Sequence, residues 1–479
     1  MGISDLLEIG KQGLAANRQA LTTTSNNIAN ANTPGYSRQR PVMESNTMSQ
    51  TDGVFIGGGV SVPKVIRVHD VFIDRQIIDE SRAFGAMKAR ADGLRQMESL
   101  LTRNGYEVGE SVNSFFNAYR ELSANPENPS VRNLVLESAD SAARSFRRVH
   151  DSMSDMQTQI DQKLGGMVDE INAQAQELAG LNEKITFMNS ANQEPNELLD
   201  RRDVIVKNLS LKLGCAITSD ENGHANIAPS GMGSLVFGSH ANLLEAGRSP
   251  AMGDKNGGNV DIFVRDSFGV HRITEVFKEG EFAGLIQVRD QYINGTLKQL
   301  DSVAYEFARA VNDLHRTGTG LDGNSSRDIF QTQEAVKGFS SQMAVSEDVK
   351  GNLSAIASGF EENAPGDNRL AVSMAELQNR ALMPSGGLIQ DGAELRSTLS
   401  ESLNSIAGRL AASTAKEDEM LRHQTSIMDQ LENYRQNISG VSLEEEAIQM
   451  MQYQAVFNAS AKAMRVGDEL LQTILSLKD

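Results

Sequence analysis

A chain of 479 residues with 45 basic and 63 acidic side chains carries a net charge of −18, which argues against a surface built to neutralise nucleic-acid phosphates. Hydrophobic residues at 39% and charged residues at 23% are globular proportions, whereas 5% aromatics without Trp suit long helices packed through Leu, Met and Ala. The single cysteine, Cys215, excludes an intrachain disulfide and a paired-cysteine metal site; no run of 18 apolar residues is present to span a membrane.

The first 40 residues carry a narrow stripe, Leu7, Leu14, Leu21 and Ile28, with one apolar side chain every seven positions. A helix so patterned buries little area alone and needs a partner. It should end near Asn30, because the asparagines of Asn26-Asn27-Ile28-Ala29-Asn30-Ala31-Asn32 compete for backbone groups and Pro34 disfavours a helical Thr33. Pro34-Gly35 fits the centre of a type II turn before Tyr36. Residues 34–78 then read as short strands, with a plain turn at Gly57-Gly58-Gly59, where no Lys-Ser or Lys-Thr follows to make a phosphate loop.

Helical periodicity begins near Ile77. Val108, Val112, Phe115, Tyr119 and Leu122 share one face, and Asn125-Pro126 breaks it, with Ser130 as the expected next N-cap. The longest pattern follows: Phe146, Val149, Met153, Met156, Ile160, Leu164, Met167, Ile171, Leu178, Leu181, Ile185 and Met188, with Gly165-Gly166 on a stutter where a bend or break is expected. At 1.5 Å per residue a helix from Ser130 to Gln193 would be roughly 95 Å long.

Residues 213–280 change character. Cys215 and Ile217, then Asn222-Gly223, then Ala225 and Ile227 predict a hairpin with a type I′ turn; Val260, Ile262 and Val264 with Gly269, Val270 and Ile273 predict a second. Helix resumes from Phe282 to about His315, and residues 317–390 read as short helices and turns. From Leu395 another long helix runs through Leu399, Leu403, Ile406, Leu410, Ile427, Leu431, Tyr434 and Ile438, stopped by Ser439-Gly440. After Ser442 as N-cap and the acidic first turn Glu444-Glu445-Glu446, the positions Leu443, Ala447, Met450, Gln454, Phe457, Ala461, Met464, Asp468, Leu471 and Leu475 alternate by four and three, a coiled-coil seam.

The expected fold is therefore mainly α with a smaller β-rich insertion: a long-helix bundle, nested, with paired terminal coiled-coil helices. The expected parts are 1–33 with 440–479 as the terminal pair, 34–212 with 281–439 as a rod-shaped helical domain, and 213–280 as the insertion. Met1 to Ile9 lacks the basic and apolar regions of a secretory signal peptide.

The two ends, "ANANTPGYSRQ" and "SGVSLEEEAIQMMQYQAVFNASAKAM", resemble the paired terminal signatures of the bacterial flagellar axial proteins: rod, hook and hook-associated subunits. The length and the helix-rich middle resemble the hook-associated junction branch. That resemblance implies a structural adapter at the hook-filament junction, placed outside the cell by type III export without a cleaved signal peptide, with terminal helices that order on assembly around a central channel. It implies as partners the flagellar hook subunit, a second hook-associated protein, a flagellar export chaperone and further copies in a ring at the hook tip, with no nucleic acid and no membrane. The assembly interface would comprise Leu7, Leu14, Leu21, Ile28, Asn30, Asn32, Thr33, Pro34, Gly35, Tyr36, Leu443, Met450, Phe457, Met464 and Leu471. The alternatives are a hook or distal-rod subunit, whose middle should be richer in strand, a cytoplasmic coiled-coil scaffold, and an exported cell-wall hydrolase with flagellar ends.

No catalytic, cofactor or metal residue is expected. The seven histidines are scattered without a zinc spacing. Asp322, Asn324, Ser326 and Asp328 alternate as in a calcium loop, but Arg327 stands where glycine is required and Gln333 where the closing acid belongs. The adjacent acids Glu361-Glu362 do not set the separation that glycoside cleavage needs.

Overall fold

The computed structural model describes residues 3–46, 49–51, 54–221, 223–229, 232–248, 258–266, 269–390 and 393–476. Helix α1 (Ile3–Ala29) leads into strand β1 (Gln39–Ser45), the short pair β2 (Ser49–Thr51) and β3 (Val54–Ile56), and β4 (Val60–Arg67), which returns antiparallel to β1 with Gln39 opposite Arg67. This hairpin packs on α1.

The body is built on three long helices. Helix α2 (Val71–Ala124) starts six residues earlier than its periodicity suggests, because Asp70 caps it by accepting from the Phe72 and Ile73 amides. Helix α3 (Pro129–Ser190) runs for 62 residues without interruption. Its N-cap is Asn128, not Ser130: Pro129 takes the first helical position, where its missing N–H costs nothing, and the Asn128 side chain accepts from the Ser130 amide. Nor does Gly165-Gly166 break it. Leu164, Met167 and Val168 on either side are buried, and that packing outweighs about 1 kcal/mol per glycine of lost propensity.

Helix α4 (Asn196–Leu213) ends at Gly214, and the β-rich insertion follows. Its first sheet has the order β5 (Cys215–Ser219), β6 (Ala225–Pro229), β7 (Val236–Phe237), β8 (His240–Ala241); the second places β10 (Val260–Asp266) between β9 (Leu243–Arg248) and β11 (Gly269–Arg272). Both expected hairpins form, but the first is closed by residues 220–224 instead of a two-residue turn: Ser219 pairs with Ala225, and the Gly223 amide bonds back to the Asp220 carbonyl. Asn222 lies outside the described residues.

The chain re-enters the body through α5 (Gly280–Gln287), a π-helical stretch at Val288–Ile293, and α6 (Asn294–His315). The insertion is clamped there: fully buried Arg289 donates to Asp161 of α3 at 2.6 Å and to the Val260 carbonyl at 2.7 Å. A second tie at its far end links Thr186 of α3, His224 and Asp220, with Oγ1···Nε2 at 2.8 Å and Nδ1···Oδ2 at 2.7 Å. Then come α7 (Phe339–Gln342), α8 (Arg369–Glu376), and β12 (Met383–Gln390) paired with β13 (Ala393–Ser397). Helix α9 begins at Leu399 and not at Leu395, because 393–397 pair in that hairpin and Thr398 with Glu401 forms a capping box. It ends at Ser439, and α10 (Leu443–Ser476) closes the chain.

Core packing centres on α2, against which α3, α4, α5 and α9 all lie. Much of the sparse aromatic content gathers in one cluster, where Phe307 sits 5.6 Å from Phe115 and 5.3 Å from Phe330, centroid to centroid. Along α9 the apolar face is buried only as far as Leu410; beyond it Thr414, Glu417 and Gln424 are buried instead, and Ile427, Tyr434 and Ile438 are exposed. Glu417 meets Arg90 of α2 at 3.0 Å. The calcium-like residues form a turn closed by ion pairs, Arg327 to Asp322 at 2.6 Å and Arg316 to Asp328 at 2.6 Å.

His315, at the end of α6, is buried between the Arg327 carbonyl, which faces Nδ1 at 2.7 Å, and the Ala357 amide, which donates to Nε2 at 2.9 Å. That arrangement requires the neutral ring, and burial pushes the imidazole from 6.5 down to about 4. Its contribution to stability is complete above pH 6.5 and is lost progressively as pH falls towards 4, a cost of about 3 kcal/mol. The denaturant midpoint of the wild type should therefore fall more steeply between pH 6.5 and 4 than that of His315→Gln. Equal slopes would contradict this assignment.

Candidate assembly interface

Helices α1 and α10 pair, and the contact face differs from the heptad positions. On α1 the buried residues are Gly10, Gly13, Ala16, Asn17, Ala20, Thr23, Thr24 and Asn27, a row of small side chains one turn apart, whereas Leu7, Leu14, Leu21 and Ile28 are half-buried along its flank. Small residues let the backbones approach: a Cβ on Gly10 would meet Met464 Cγ at 2.6 Å, and one on Gly13 would meet Ser460 Oγ at 3.0 Å. From the other side Leu7 covers Gly467, whose added Cβ would lie 3.0 Å from Leu7 Cδ2. Met450, Phe457 and Met464 are half-buried on α10, but Leu443 and Leu471 are 54% and 36% exposed.

The polar end of this pair is a network centred on Asn27. Its Nδ2 donates to the Gln39 carbonyl at 2.9 Å and to Glu446 Oε2 at 3.0 Å; its Oδ1 accepts from the Tyr36 hydroxyl at 2.8 Å and the Gln39 amide at 3.0 Å. Both N–H donors and both oxygen lone pairs of the amide are thus satisfied. Glu446 is fully buried and receives Arg38 Nε on its other oxygen at 2.7 Å, while Arg38 also reaches exposed Glu445 at 2.9 Å. The acidic first turn of α10 therefore has divided roles: Glu444 and Glu445 face solvent, and Glu446 is the buried counterpart of the turn. Burial, then the carboxylates of Asp200, Glu197 and Glu446, push the Tyr36 phenol above its ordinary range, so it stays protonated and donates.

The turn itself forms as read. The Tyr36 amide bonds to the Thr33 carbonyl at 3.2 Å, and Gly35 has φ +82°, the left-handed value a type II turn demands. A side chain there would also collide with Val204 of α4. Asn30 knots the helix end, donating to the Asn26 carbonyl at 3.0 Å and accepting from Thr33 Oγ1 at 3.2 Å; Asn32, Thr33 and Pro34 are exposed. Sequence reasoning treated Asn27 as one helix breaker among several and missed Glu446, Arg38, Asp200 and Arg67. Small residues three or four apart from Gly10 to Ala20 were the legible signal for the close face.

Against α1, α10 uses only part of its surface: of its 34 residues Glu446 and Gly467 alone are buried. A second stripe, Ile448, Met451, Ala455, Ala459, Ala463, Val466, Leu470 and Ile474, advances by steps of three and four and is exposed along its whole length.

Burial pushes the Cys215 thiol up to about 12, which removes the thiolate a nucleophile needs. Among the described residues no group of three His, Cys, Asp or Glu side chains could hold a metal ion, and no helix is long and apolar enough to cross a membrane.

Glu446→Ala should leave Arg38 and Asn27 facing an empty buried site, and breaking a buried charge pair in this way costs about 3–5 kcal/mol. Amide exchange of α1 and α10 should accelerate while α2 and α3 keep wild-type protection. Unchanged exchange in α1 would show that the network does not hold the pair.

Along its length the chain is similar to known proteins. Residues 94–330 match the flagellar hook-associated protein FlgK helical domain, residues 7–36 the flagella basal body rod protein family, and residues 434–477 the flagellar basal body rod FlgEFG protein C-terminal family. Flagellar hook-associated protein 1 of Bacillus subtilis is 27% identical, covering 98% of this chain and 97% of that one. The Salmonella typhimurium protein of that name is 31% identical over 68% of this chain and 59% of its own length, and the Escherichia coli K12 one 23% identical over 99% and 100%. The flagellar hook junction protein FlgK from Burkholderia pseudomallei shares the fold, with a TM-score of 0.61 at 15% identity, covering 74% of this chain and all of that one. The ends match families of rod proteins, and the helical middle separates this chain from them: it belongs to the flagellar hook-associated protein 1 family.

Proposed function

We propose that this structural protein of the flagellar hook-filament junction is a non-enzymatic adapter that assembles through its terminal helix pair. The observation that carries the reading is the surface of α10, which leaves a full-length apolar stripe uncovered while α1 occupies the opposite side. Covering each large side chain of that stripe contributes about 2 kcal/mol, so neighbouring subunits supply the burial that one-sided packing against α1 leaves out. The half-buried Leu7, Leu14, Leu21 and Ile28, with Leu443, Met450, Phe457, Met464 and Leu471, form the rest of the contact. Thr33 to Tyr36 set the direction in which the chain leaves it.

On this reading 1–33 with 440–479 is the assembling part, 34–212 with 281–439 the helical domain, and 213–280 an outward-facing insertion. The protein works outside the cell, exported without a cleaved signal peptide and held beforehand by an export chaperone. It forms a ring at the hook tip between the hook subunit and a second hook-associated protein. The matching helical middle and the long α2, α3 and α9 favour this over a hook or distal-rod subunit.

Val466→Lys with Ile474→Lys, both on the exposed stripe, should leave the helix content and unfolding temperature of the free protein unchanged and reduce incorporation at hook tips at least tenfold. Deleting residues 1–30 should likewise abolish incorporation while the helical body keeps its fold, the helix lost being that of α1 and its partner α10. Normal incorporation of the lysine variant would overturn the reading.

A further inference from the structure

The terminal pair with its hairpin is joined to the helical body by two crossings of the chain, between β4 and α2 at Val68–Asp70 and between α9 and α10 at Ser439-Gly440, which are tied through Arg38: its amide donates to the Ser439 carbonyl at 2.8 Å and its carbonyl accepts the Val68 amide at 2.8 Å. Two strands joined in this way can twist and bend, and nothing in the crossings themselves fixes an angle. The fixing contacts come from one face of α4. Asn196 Nδ2 donates to the Val65 carbonyl of β4 at 2.7 Å. One turn on, Asp200 accepts the Ser37 amide at 3.1 Å and Arg67 Nη1 at 2.8 Å; Asp203 accepts the same Arg67 nitrogen at 2.8 Å. Val204 fills the space over Gly35.

We propose that the first two turns of α4 are an electrostatic latch that seats the β1–β4 hairpin, and with it the terminal helix pair, at one angle to the helical body. Arg67 is the bolt. It closes β4 opposite Gln39, so it reports directly on the hairpin's position, and with a side chain 6% exposed it has little water to replace its two carboxylates. Arg202 also meets Asp203, at 3.2 Å, but it lies on α4 itself, so Arg67 is the cation that comes from the hairpin. Asp74 of α2 faces the same joint, and its carboxyl is held above the ordinary range by burial and by Asp203, with Arg435 at 3.6 Å as its own cation. With Arg67 neutralised, the hairpin presents no cation to Asp200 and Asp203 of α4, and the attraction that seats it is lost. The latch acts within one chain, and its failure would leave the assembly reading intact.

The test uses the free full-length protein carrying spin labels at Glu44→Cys on β1 and Asp169→Cys on α3, both exposed positions; Cys215 is buried. Pulsed electron paramagnetic resonance then reads the distribution of hairpin-to-body distances. One narrow distribution is expected for the otherwise native chain. Arg67→Gln should broaden it at least twofold with unchanged helix content and unfolding temperature, as should Asp200→Asn with Asp203→Asn, which leaves the hairpin sequence untouched. Arg265→Gln, which removes an unrelated exposed pair with Glu245, should leave the width as it was. A native-width distribution in both latch variants, or a native chain already as broad as they are, would overturn the proposal.

Discussion

Glu446, a carboxylate with no exposed surface at the start of the last helix, is the constraint from which the rest of the arrangement follows. A buried charge is tolerated only when paired and hydrogen-bonded. Its partners, Arg38 and Asn27, lie some 400 residues away in sequence, on either side of the turn that ends the first helix. Satisfying one carboxylate therefore registers the two ends of the chain against each other, fixes the exit of the chain through Tyr36 and Gln39, and brings Arg38 beside Ser439 at the end of α9. The small residues of α1 then decide how close the helices lie. Close approach through Gly10 and Gly13 buries modest apolar area, so the pair is specified more by its polar end than stabilised by its length.

The helical body has the opposite character. Its three long helices share an extended apolar core, and its polar buried groups serve to staple distant segments: Arg289 holds the insertion to α3, Asp301 takes the Gly338 and Ser340 amides at 2.7 and 3.0 Å, and His315 fastens 327 to 357. Such staples let a loop-rich stretch sit on the bundle without an apolar pattern of its own. A stable body carrying a weakly buried, apolar-striped helix pair is the division of labour a subunit needs when its ends order against neighbours.

Much of this was legible in the sequence. The alternation of α10, the periodicity of α3 and the Pro34-Gly35 turn correspond to observed elements because each is a local signal repeated many times or fixed by backbone chemistry. What failed did so for identifiable reasons. Counting leucines located the flank of α1, from which Leu7 reaches Gly467, but not the row of small residues at which the two backbones approach, since close helix approach selects for absent side chains. Gly165-Gly166 looked like a break because propensity was read without the burial of Leu164 and Met167. The start of α9 was placed four residues early because apolar spacing cannot separate a hairpin ending at Ser397 from the capping box that follows. Glu446 read as one of three acids at a helix start, and nothing local distinguishes it; its role exists only once Arg38 arrives. Residues 317–390 stayed opaque for the same reason, their order coming from other elements: Arg132 of α3, which donates to the Ile356 carbonyl and to Ser358, and Asp301 and His315 of α6.

The measurement closest to the central claim is amide exchange of the chain free and assembled on isolated hooks, resolved along the sequence. Gain of protection concentrated in residues 3–29 and 443–476, with the core of α2 and α3 unchanged, is the result predicted if the terminal pair is the assembling part. New protection confined to the helical body or the β-rich insertion, with the ends unaltered, would contradict it.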